Sequence, residues 1–213
     1  MRFIVGLSGR KQSGKDTICN HLMGAISLPA TTYSFADPLK RFCVDVMGLR
    51  EEQCYGTDDD KNTDTIYEWS NLPVKVCEAY LKDGELPTGK MTARAIMQVF
   101  GTNVMRDMFD KDIWVNGTFN LINADKDNEI GFISDTRFPS EVDAIAASPN
   151  GYIIRLTRKV AEDTHISETA LDEYNFKGNL GDKLCLIDNQ NMAIGEQNKI
   201  ALDFLDKIIE KGS

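Results

Sequence analysis

Short apolar runs alternate with longer segments of helical periodicity along the whole chain. The apolar runs at 3–7, 31–36, 130–134, 152–156 and 183–187 have the length and composition of buried β-strands. Apolar residues spaced three and four apart predict helices between and after these runs, at 37–47, 91–107, 110–123, 139–147 and 194–209. Because strands alternate with helices, we expect a three-layer α/β/α fold around a five-stranded parallel sheet.

Two of the predicted helices carry further signals. Asp37 and Pro38 are expected at the N-cap and the first helical position of the helix after the second strand. In the helix at 91–107, a polar stripe lies beside the apolar face and is either solvent-exposed or the lining of a cleft; it consists of Arg94, Gln98 and Thr102. Trp114 falls on the apolar side of the helix at 110–123.

The segment 48–90 shows the least regular pattern. It is rich in glycine and proline, has helical spacing only at 74–81, and contains an acidic run at 58–60 that is typical of a solvated loop. The segment as a whole could form a mobile lid.

Composition and charge narrow the class of protein. The 213 residues suffice for one α/β domain, and a formal net charge of −9 argues against duplex DNA as a partner. No apolar run reaches the roughly 18 residues that span a bilayer, and the N-terminus lacks a secretory pattern, so we expect a cytoplasmic protein. The five cysteines show no paired close spacing, which indicates free thiols in a reducing compartment and gives no support for zinc.

The first strand leads directly into a phosphate-loop motif. Gly9, Gly14 and Lys15 fit the pattern G-x-x-x-x-G-K, and helical spacing follows. Backbone N–H groups and the positive end of the helix would face phosphate oxygens there, and Lys15 would add a point charge. The alternative, a glycine-rich turn with a solvated lysine, fits the flanking strand and helix less well.

The residue after Lys15 departs from the common motif. Asp16 stands where serine or threonine usually supports magnesium, and Thr17 follows. Either the carboxylate or the hydroxyl can serve a hard cation that keeps most of its water ligands.

A second charged cluster follows the strand at 130–134. Asp135 would hold magnesium or its water near the phosphate loop, or would cap the next helix. Arg137 would reach the transferring phosphoryl group, or would pair with Glu141 or Asp143. His165, in the polar cluster 163–168, would be a general base or, more in keeping with such histidines, a structural residue.

Taken together, the motifs resemble those of the bacteriophage-type deoxynucleoside monophosphate kinases, which are P-loop enzymes. The resemblance extends over most of the chain, in the stretches 7–17, 34–40, 91–102, 110–115, 131–144, 163–172 and 187–189. It implies a single P-loop kinase domain, 1–213, with 48–108 as a helical acceptor-binding or lid insertion. It also implies transfer of the γ-phosphate of ATP to a deoxynucleoside monophosphate, with Mg²⁺ as cofactor, in the cytoplasm of the host if the chain is of phage origin.

The resemblance also implies roles for individual residues. Lys15, Arg137 and Asp135 would be catalytic, and Asp16, Thr17 and Asp135 would support the metal. The residues expected on ATP are Arg10, Ser13, Gly14, Lys15, Asp16, Thr17, Arg158 and Asn189, the last two beside the adenine. The residues expected on the acceptor are Lys11, Lys40, Arg94, Gln98, Thr102, Trp114, Arg137 and Glu168.

Several alternatives stay open at this point. The acceptor could be phosphomevalonate, since the animal-type phosphomevalonate kinases share a similar loop and Asp-Thr-Arg segment, or it could be a modified nucleotide. A nucleotide-dependent regulatory switch is a further alternative, although the run 123–127 does not match the usual guanine motif. The preferred base and a homodimeric state are left undecided by the sequence.

Overall fold

The structure, a computed structural model, describes residues 3–159 and 169–212. The described residues form two compact units, the first made of those within 1–35 and 117–213 and the second of 36–116. The predicted residues His165 and Glu168 lie outside the described residues.

A five-stranded parallel sheet forms the centre of the first unit. In spatial order its strands are β2 (Ala30–Tyr33), β5 (Ile130–Thr136), β1 (Phe3–Ser8), β6 (Gly151–Leu156) and β7 (Leu184–Ile187). Every neighbouring pair is parallel; Phe3 of β1 is in register with Ile130 of β5, and Ile4 with Gly151 of β6. The predicted α/β fold with a five-stranded parallel sheet is therefore confirmed.

Helices cover both faces of this sheet because its strands are apolar on both faces. On one face, Val5 and Leu7 belong to a buried cluster that also contains residues of α1 (Lys15–Ala25) and α10 (Ile194–Lys211). On the other face, Gly6 lies so close to α8 (Pro139–Ala147) that an added Cβ would be 2.6 Å from the side chain of Ile145. Two further helices belong to the described part of this unit: the C-terminal part of α7 (Ile113–Ala124), and α9 (Phe176–Leu180), which a 3₁₀ turn at Gly181–Lys183 follows.

The second strand is shorter than its apolar pattern predicts. It ends at Tyr33, whereas the prediction extended it to residue 36. The reason is that the next residues leave the ladder to bind a side chain: Ser34 Oγ and the Phe35 N–H donate to the carboxylate of Asp135, at 2.6 and 2.8 Å.

The second unit consists of short elements around its own core. It contains α2 (Asp37–Asp45), α3 (Glu51–Tyr55), α4 (Asp58–Lys61), α5 (Val74–Cys77), α6 (Ala93–Gln98) and the start of α7. Two 3₁₀ turns, Trp69–Asn71 and Glu78–Tyr80, lie on either side of α5. A hairpin of β3 (Asp64–Glu68) and β4 (Lys90–Thr92) pairs antiparallel, Asp64 opposite Thr92. The core contains Cys43, Leu49, Cys54, Trp69 and Ile96, all buried.

Three predictions for this segment are wrong. The helix predicted at 91–107 is α-helical only in α6, and a π-helix, Val99–Phe109, follows it. The acidic run predicted as a loop forms α4, in which the Thr57 and Asp60 side chains cap each other's backbone N–H groups. Asp37 is the first residue of α2 rather than its N-cap, a position that Ala36 occupies.

None of the helices within 3–159 and 169–212 combines the length and the hydropathy that crossing a bilayer requires.

Candidate active site

The loop between β1 and α1 has the tight geometry that the sequence motif predicts. Gly14 has a φ of 104°, a left-handed conformation that side chains disfavour, and directly precedes the first helical residue, Lys15. A Cβ at Gly9 would lie 2.4 Å from Ser13 Oγ, so only glycine allows the loop to close this far. The loop therefore brings backbone N–H groups to the N-terminus of an 11-residue helix, which is an arrangement suited to an anion.

Lys15 lies within this loop and is almost fully buried. Its Nζ donates hydrogen bonds to the carbonyl oxygens of Gly9 at 2.7 Å and Arg10 at 2.8 Å. Burial, reinforced by Arg137, lowers the pKa of Lys15 from 10.5 to about 8. The ammonium thus remains mostly protonated at neutral pH but is close to titrating.

The charged groups that act on Lys15 all belong to the first unit, and they lie on α1, on β5 and the loop after it, and on β6. Arg137 and Arg155 lower the pKa of Lys15, whereas Asp16 and Asp135 raise it. The structure thereby brings together Lys15, Asp16, Asp135 and Arg137, as the sequence predicts, at the carboxyl ends of β1 and β5. Ligands of parallel α/β sheets bind at this edge.

Asp135 is the penultimate residue of strand β5 and does not cap α8. Its carboxylate accepts from Ser34 Oγ and the Phe35 N–H, whereas the N-cap of α8 is Phe138. Glu141 takes the capping role, since its carboxylate accepts from the N–H groups of Arg137 and Phe138 at 2.8 and 3.1 Å. These bonds fix the backbone from which the Arg137 side chain extends.

Arg155 is a partly buried cation of the site that sequence reasoning missed. Its Nη1 donates to Ser8 Oγ at 2.9 Å, and its guanidinium lies 5.0 Å from the centre of the Phe176 ring. Burial lowers its pKa, and the nearby Asp172 opposes that change. Arg155 lies in an apolar strand, so the only feature of the sequence that could have indicated its role is a charged residue within the run 152–156.

Arg10, predicted on ATP, forms an ion pair within the same unit. Its guanidinium contacts the carboxylate of Asp172 at 2.5 Å, and the arginine side chain is 14% exposed. The pair joins the phosphate loop to the segment that precedes α9. Lys11, the neighbouring residue in the loop, is exposed.

A cavity of about 220 Å³ lies against the phosphate loop and the start of α10. Its lining contains most of the residues predicted on ATP. They are Ser13, Gly14, Lys15, Asp16, Thr17 and Arg158; Gln12, Ile194 and Gln197 also line it. Ile194 and Gln197 were not predicted, because both lie on a helix whose pattern is explained by packing alone.

Asn189 is fully buried next to this cavity and binds the loop. Its Nδ2 donates to the Ser13 carbonyl and to Gln197 Oε1, both at 2.8 Å, and its Oδ1 accepts from the Arg158 N–H at 3.0 Å. The Arg158 Nε donates to the Asn189 carbonyl at 3.3 Å. The two residues predicted beside adenine are thus joined to each other and to the loop.

The residues present fit a magnesium ion of the kind that retains its water ligands. Within the two described ranges, no group of three or more His, Cys, Asp or Glu side chains could hold a metal ion by itself. Asp16 and Thr17 line the cavity, and Ser13 Oγ is buried without a hydrogen-bond partner among the described groups. One or two such oxygens, with phosphate and water, are what Mg²⁺ needs in nucleotide sites.

The second unit contains the other residues predicted on the acceptor. Lys40 Nζ lies 4.9 Å from the centre of the Tyr55 ring. Arg94 donates to Asp58 Oδ1 at 2.7 Å and to Asn62 Oδ1 at 3.1 Å, while Gln98 and Thr102 are exposed. Trp114 is buried, and its indole N–H donates to the Gly101 carbonyl at 2.8 Å. Their part in acceptor binding stays a prediction.

Comparison with known proteins identifies the family. A family model described as deoxynucleotide monophosphate kinase matches residues 47–180. A protein of Acanthamoeba polyphaga mimivirus that is assigned as a deoxynucleotide monophosphate kinase is 32% identical over 181 residues, which are 79% of this chain and 81% of that protein. The deoxynucleotide monophosphate kinase of Enterobacteria phage T4 is 28% identical over 214 residues, 79% of this chain and 87% of that protein. The resemblance predicted from the motifs is confirmed, and the chain belongs to the deoxynucleotide monophosphate kinase family.

Proposed function

We propose that this protein transfers the γ-phosphate of ATP to the 5′-phosphate of deoxynucleoside monophosphates. The observation that carries the proposal is the closed loop Gly9–Gly14 with the buried ammonium of Lys15 at the start of α1. This geometry suits a polyphosphate. The family supplies the class of acceptor, since both relatives carry the name of deoxynucleotide kinases.

The donor side of the reaction is assigned to the first unit. Backbone N–H groups of the loop, with Lys15, would hold the ATP phosphates, and Ser13, Asp16, Thr17 and Arg158 line the cavity for the nucleotide. Mg²⁺, held through Asp16, Thr17 or Asp135, would offset the negative charge of the phosphates when bound. Arg10 would contribute from the loop, and Asn189 through its bonds to Ser13 and Arg158.

Charge neutralisation is the main chemical contribution of these residues. Negative charge on the transferring phosphoryl group is spread over its oxygens, and guanidinium and ammonium groups stabilise it. Arg137 and Lys15 are the two cations that we assign to this role, with Asp135 beside them. The acceptor phosphate is largely ionised at neutral pH, with a second pKa of about 6, so the reaction needs alignment more than a strong base.

The acceptor is assigned mainly to the second unit. Lys40 and Arg94 would neutralise its phosphate, while Gln98 and Thr102 would contact the sugar or base. For Lys11, Arg137, Trp114 and Glu168, a role on the acceptor is what the resemblance implies. In this proposal the segment 48–108 is the acceptor-binding insertion and moves as a lid. Arg94 would exchange its exposed pair with Asp58 for the acceptor phosphate, at little cost because exposed ion pairs are weak.

A substrate panel tests the proposal. ADP release and the phosphorylated product are measured with each common deoxynucleoside monophosphate, each ribonucleoside monophosphate and phosphomevalonate, with an acceptor-free reaction as control. We expect turnover with at least one deoxynucleotide and a preference for deoxyribose over ribose. A folded protein that binds ATP but phosphorylates only phosphomevalonate, or no acceptor at all, would contradict the proposal.

A further inference from the structure

A chain of amide hydrogen bonds connects the phosphate loop to helix α10. The Arg158 N–H donates to Asn189 Oδ1, and Asn189 Nδ2 donates both to the Ser13 carbonyl and to Gln197 Oε1. Asn189 is fully buried and Gln197 is 2% exposed, so the two amides are shielded from competing solvent. All of these groups belong to the first unit.

Backbone groups at the two ends of this chain determine how the side-chain amides are oriented. A backbone N–H can only donate and a carbonyl can only accept, so Asn189 must present Oδ1 to Arg158 and Nδ2 to Ser13. The same Nδ2 also donates to Gln197, which must therefore accept through Oε1. The Nε2 group of Gln197 is consequently the end of the amide that does not face Asn189.

That N–H₂ group lies beside the phosphate loop. A Cβ placed on Gly14 would be 3.3 Å from Gln197 Nε2 and 3.6 Å from its Oε1, so the nitrogen is the nearer atom. Gln197 also lines the cavity of about 220 Å³ together with Ser13, Gly14 and Lys15. A fixed, uncharged donor is therefore presented next to the backbone that receives phosphate.

We propose that Gln197 is an additional nucleotide-binding residue whose side-chain N–H donates to a phosphate oxygen of ATP. Asn189 is then a positioning residue, which prevents the Gln197 amide from turning its oxygen towards the phosphates and ties the Ser13 carbonyl to the same frame. The inference rests on the proposed function only in taking ATP as the nucleotide of this cavity.

Two substitutions of Gln197 test the donor. Gln197→Met removes the N–H at similar size, and we expect ATP to bind about tenfold more weakly, the value of one hydrogen bond to a charged group. Gln197→Glu keeps an acceptor for Asn189 but places a carboxylate oxygen where the donor was. We expect about 100-fold weaker binding from the added repulsion. ATP affinity is measured by calorimetry without acceptor, and circular dichroism confirms that each variant is folded.

A matched control and a positioning variant complete the experiment. Lys199→Gln changes the net charge by the same single unit on the same helix, at a side chain that is 75% exposed, and should leave ATP affinity unchanged. Asn189→Asp faces Gln197 with an acceptor, so that the amide turns and its oxygen enters the cavity. We expect the KM for ATP to rise severalfold while the KM for the acceptor stays within about twofold, a split that general loss of structure would not produce.

The outcomes separate this inference from the proposed function. Gln197 is not a nucleotide ligand, and the inference fails, if either folded variant binds ATP as tightly as the unsubstituted protein. If the unsubstituted protein binds ATP, both variants bind it more weakly and no acceptor is phosphorylated, the inference stands and the proposed reaction fails.

Discussion

At the residue scale, the site depends on Lys15, whose burial favours the neutral amine although phosphate binding requires the charged ammonium. Lys15 is 8% exposed and donates to two loop carbonyls, and burial together with Arg137 lowers its pKa to about 8. A bound polyphosphate would favour the ammonium form and raise this pKa again. The residue is therefore tuned by its surroundings to gain charge stabilisation when ATP binds.

The pKa of Lys15 predicts how ATP capture depends on pH. With saturating acceptor, kcat/KM for ATP reports groups of the enzyme form that has not yet bound ATP, so it should fall as pH rises through about 8 and Lys15 loses its proton. Lys15→Arg keeps a cation that stays protonated throughout this range, so whatever activity it retains should lack this decrease at high pH. Steady-state kinetics from pH 7 to about 10 provide the profile. A flat profile for the unsubstituted enzyme would show that Lys15 does not titrate there.

The same depressed pKa has the opposite consequence for folding. Between about 8 and 10.5 the unfolded chain holds a proton that the folded Lys15 has released. The contribution of Lys15 to the free energy of unfolding should therefore rise with pH in that window. Urea denaturation of the unsubstituted protein and of Lys15→Met, compared across the window, isolates this contribution. A free energy of unfolding of the unsubstituted protein, minus that of Lys15→Met, that falls or stays constant with rising pH would contradict the shift.

At the element scale, the sequence predicted most where structure is local. The five strands, α1, α8 and α10 follow from apolar runs and helical spacing, because each of those elements buries a regular face. The β3–β4 hairpin was missed because its polar strands pair across more than twenty intervening residues. The π-helix was missed because its i→i+5 bonds leave an apolar spacing close to that of an α-helix.

The residues of the candidate site likewise fall into those that the sequence predicts and those that only the fold reveals. The phosphate loop, Asp135 and Arg137 could be predicted because each forms part of a short contiguous motif. Gln197 could not, because a glutamine on an amphipathic helix reads as a solvent-facing residue until its contact with Asn189 is known. Physically, such residues acquire a role from neighbours that the fold supplies, and no local spacing records it.

Replacing glycine with alanine should have different effects in the phosphate loop and in helix α1. Gly9→Ala would place a methyl group 2.4 Å from Ser13 Oγ, so it should open the loop and weaken ATP binding at least tenfold. Gly24→Ala, in α1 with no atom within 4 Å of the added Cβ, should stabilise the protein by about 0.5 kcal/mol and leave ATP binding unchanged. Calorimetry and urea denaturation measure the two effects. Normal ATP affinity in Gly9→Ala would contradict the assigned loop geometry.

At the scale of the whole molecule, the proposed binding of ATP and of the acceptor is divided mainly between the two compact units. The second unit is one continuous segment, 36–116, inserted between β2 and the rest of α7. The overall charge of −9 opposes the approach of nucleotides, and therefore the cations Lys15, Arg137, Arg155 and those of the second unit must supply local attraction. Donor and acceptor assignments thus fall mainly on different units and can be tested separately.

Hydrogen exchange measures that division of roles. A nonhydrolysable ATP analogue should slow exchange of backbone amides at 9–17 and near 189–197, because it orders the loop and the start of α10. A deoxynucleoside monophosphate should slow exchange mainly within 36–116, including 91–102. Protection by the acceptor confined to the first unit would overturn the acceptor assignment, while leaving the ATP site intact.

The phosphoryl-transfer rate of Lys15→Met at saturating ATP and acceptor tests the role of the phosphate loop most directly. Lys15 in the loop is proposed to stabilise the transferring phosphoryl group, so kcat should fall by at least about a thousandfold while the far-UV spectrum and a cooperative thermal unfolding transition are retained. Lys199→Met, a loss of one exposed lysine, serves as the control and should keep normal turnover. A folded Lys15→Met enzyme with near-normal kcat would contradict the account.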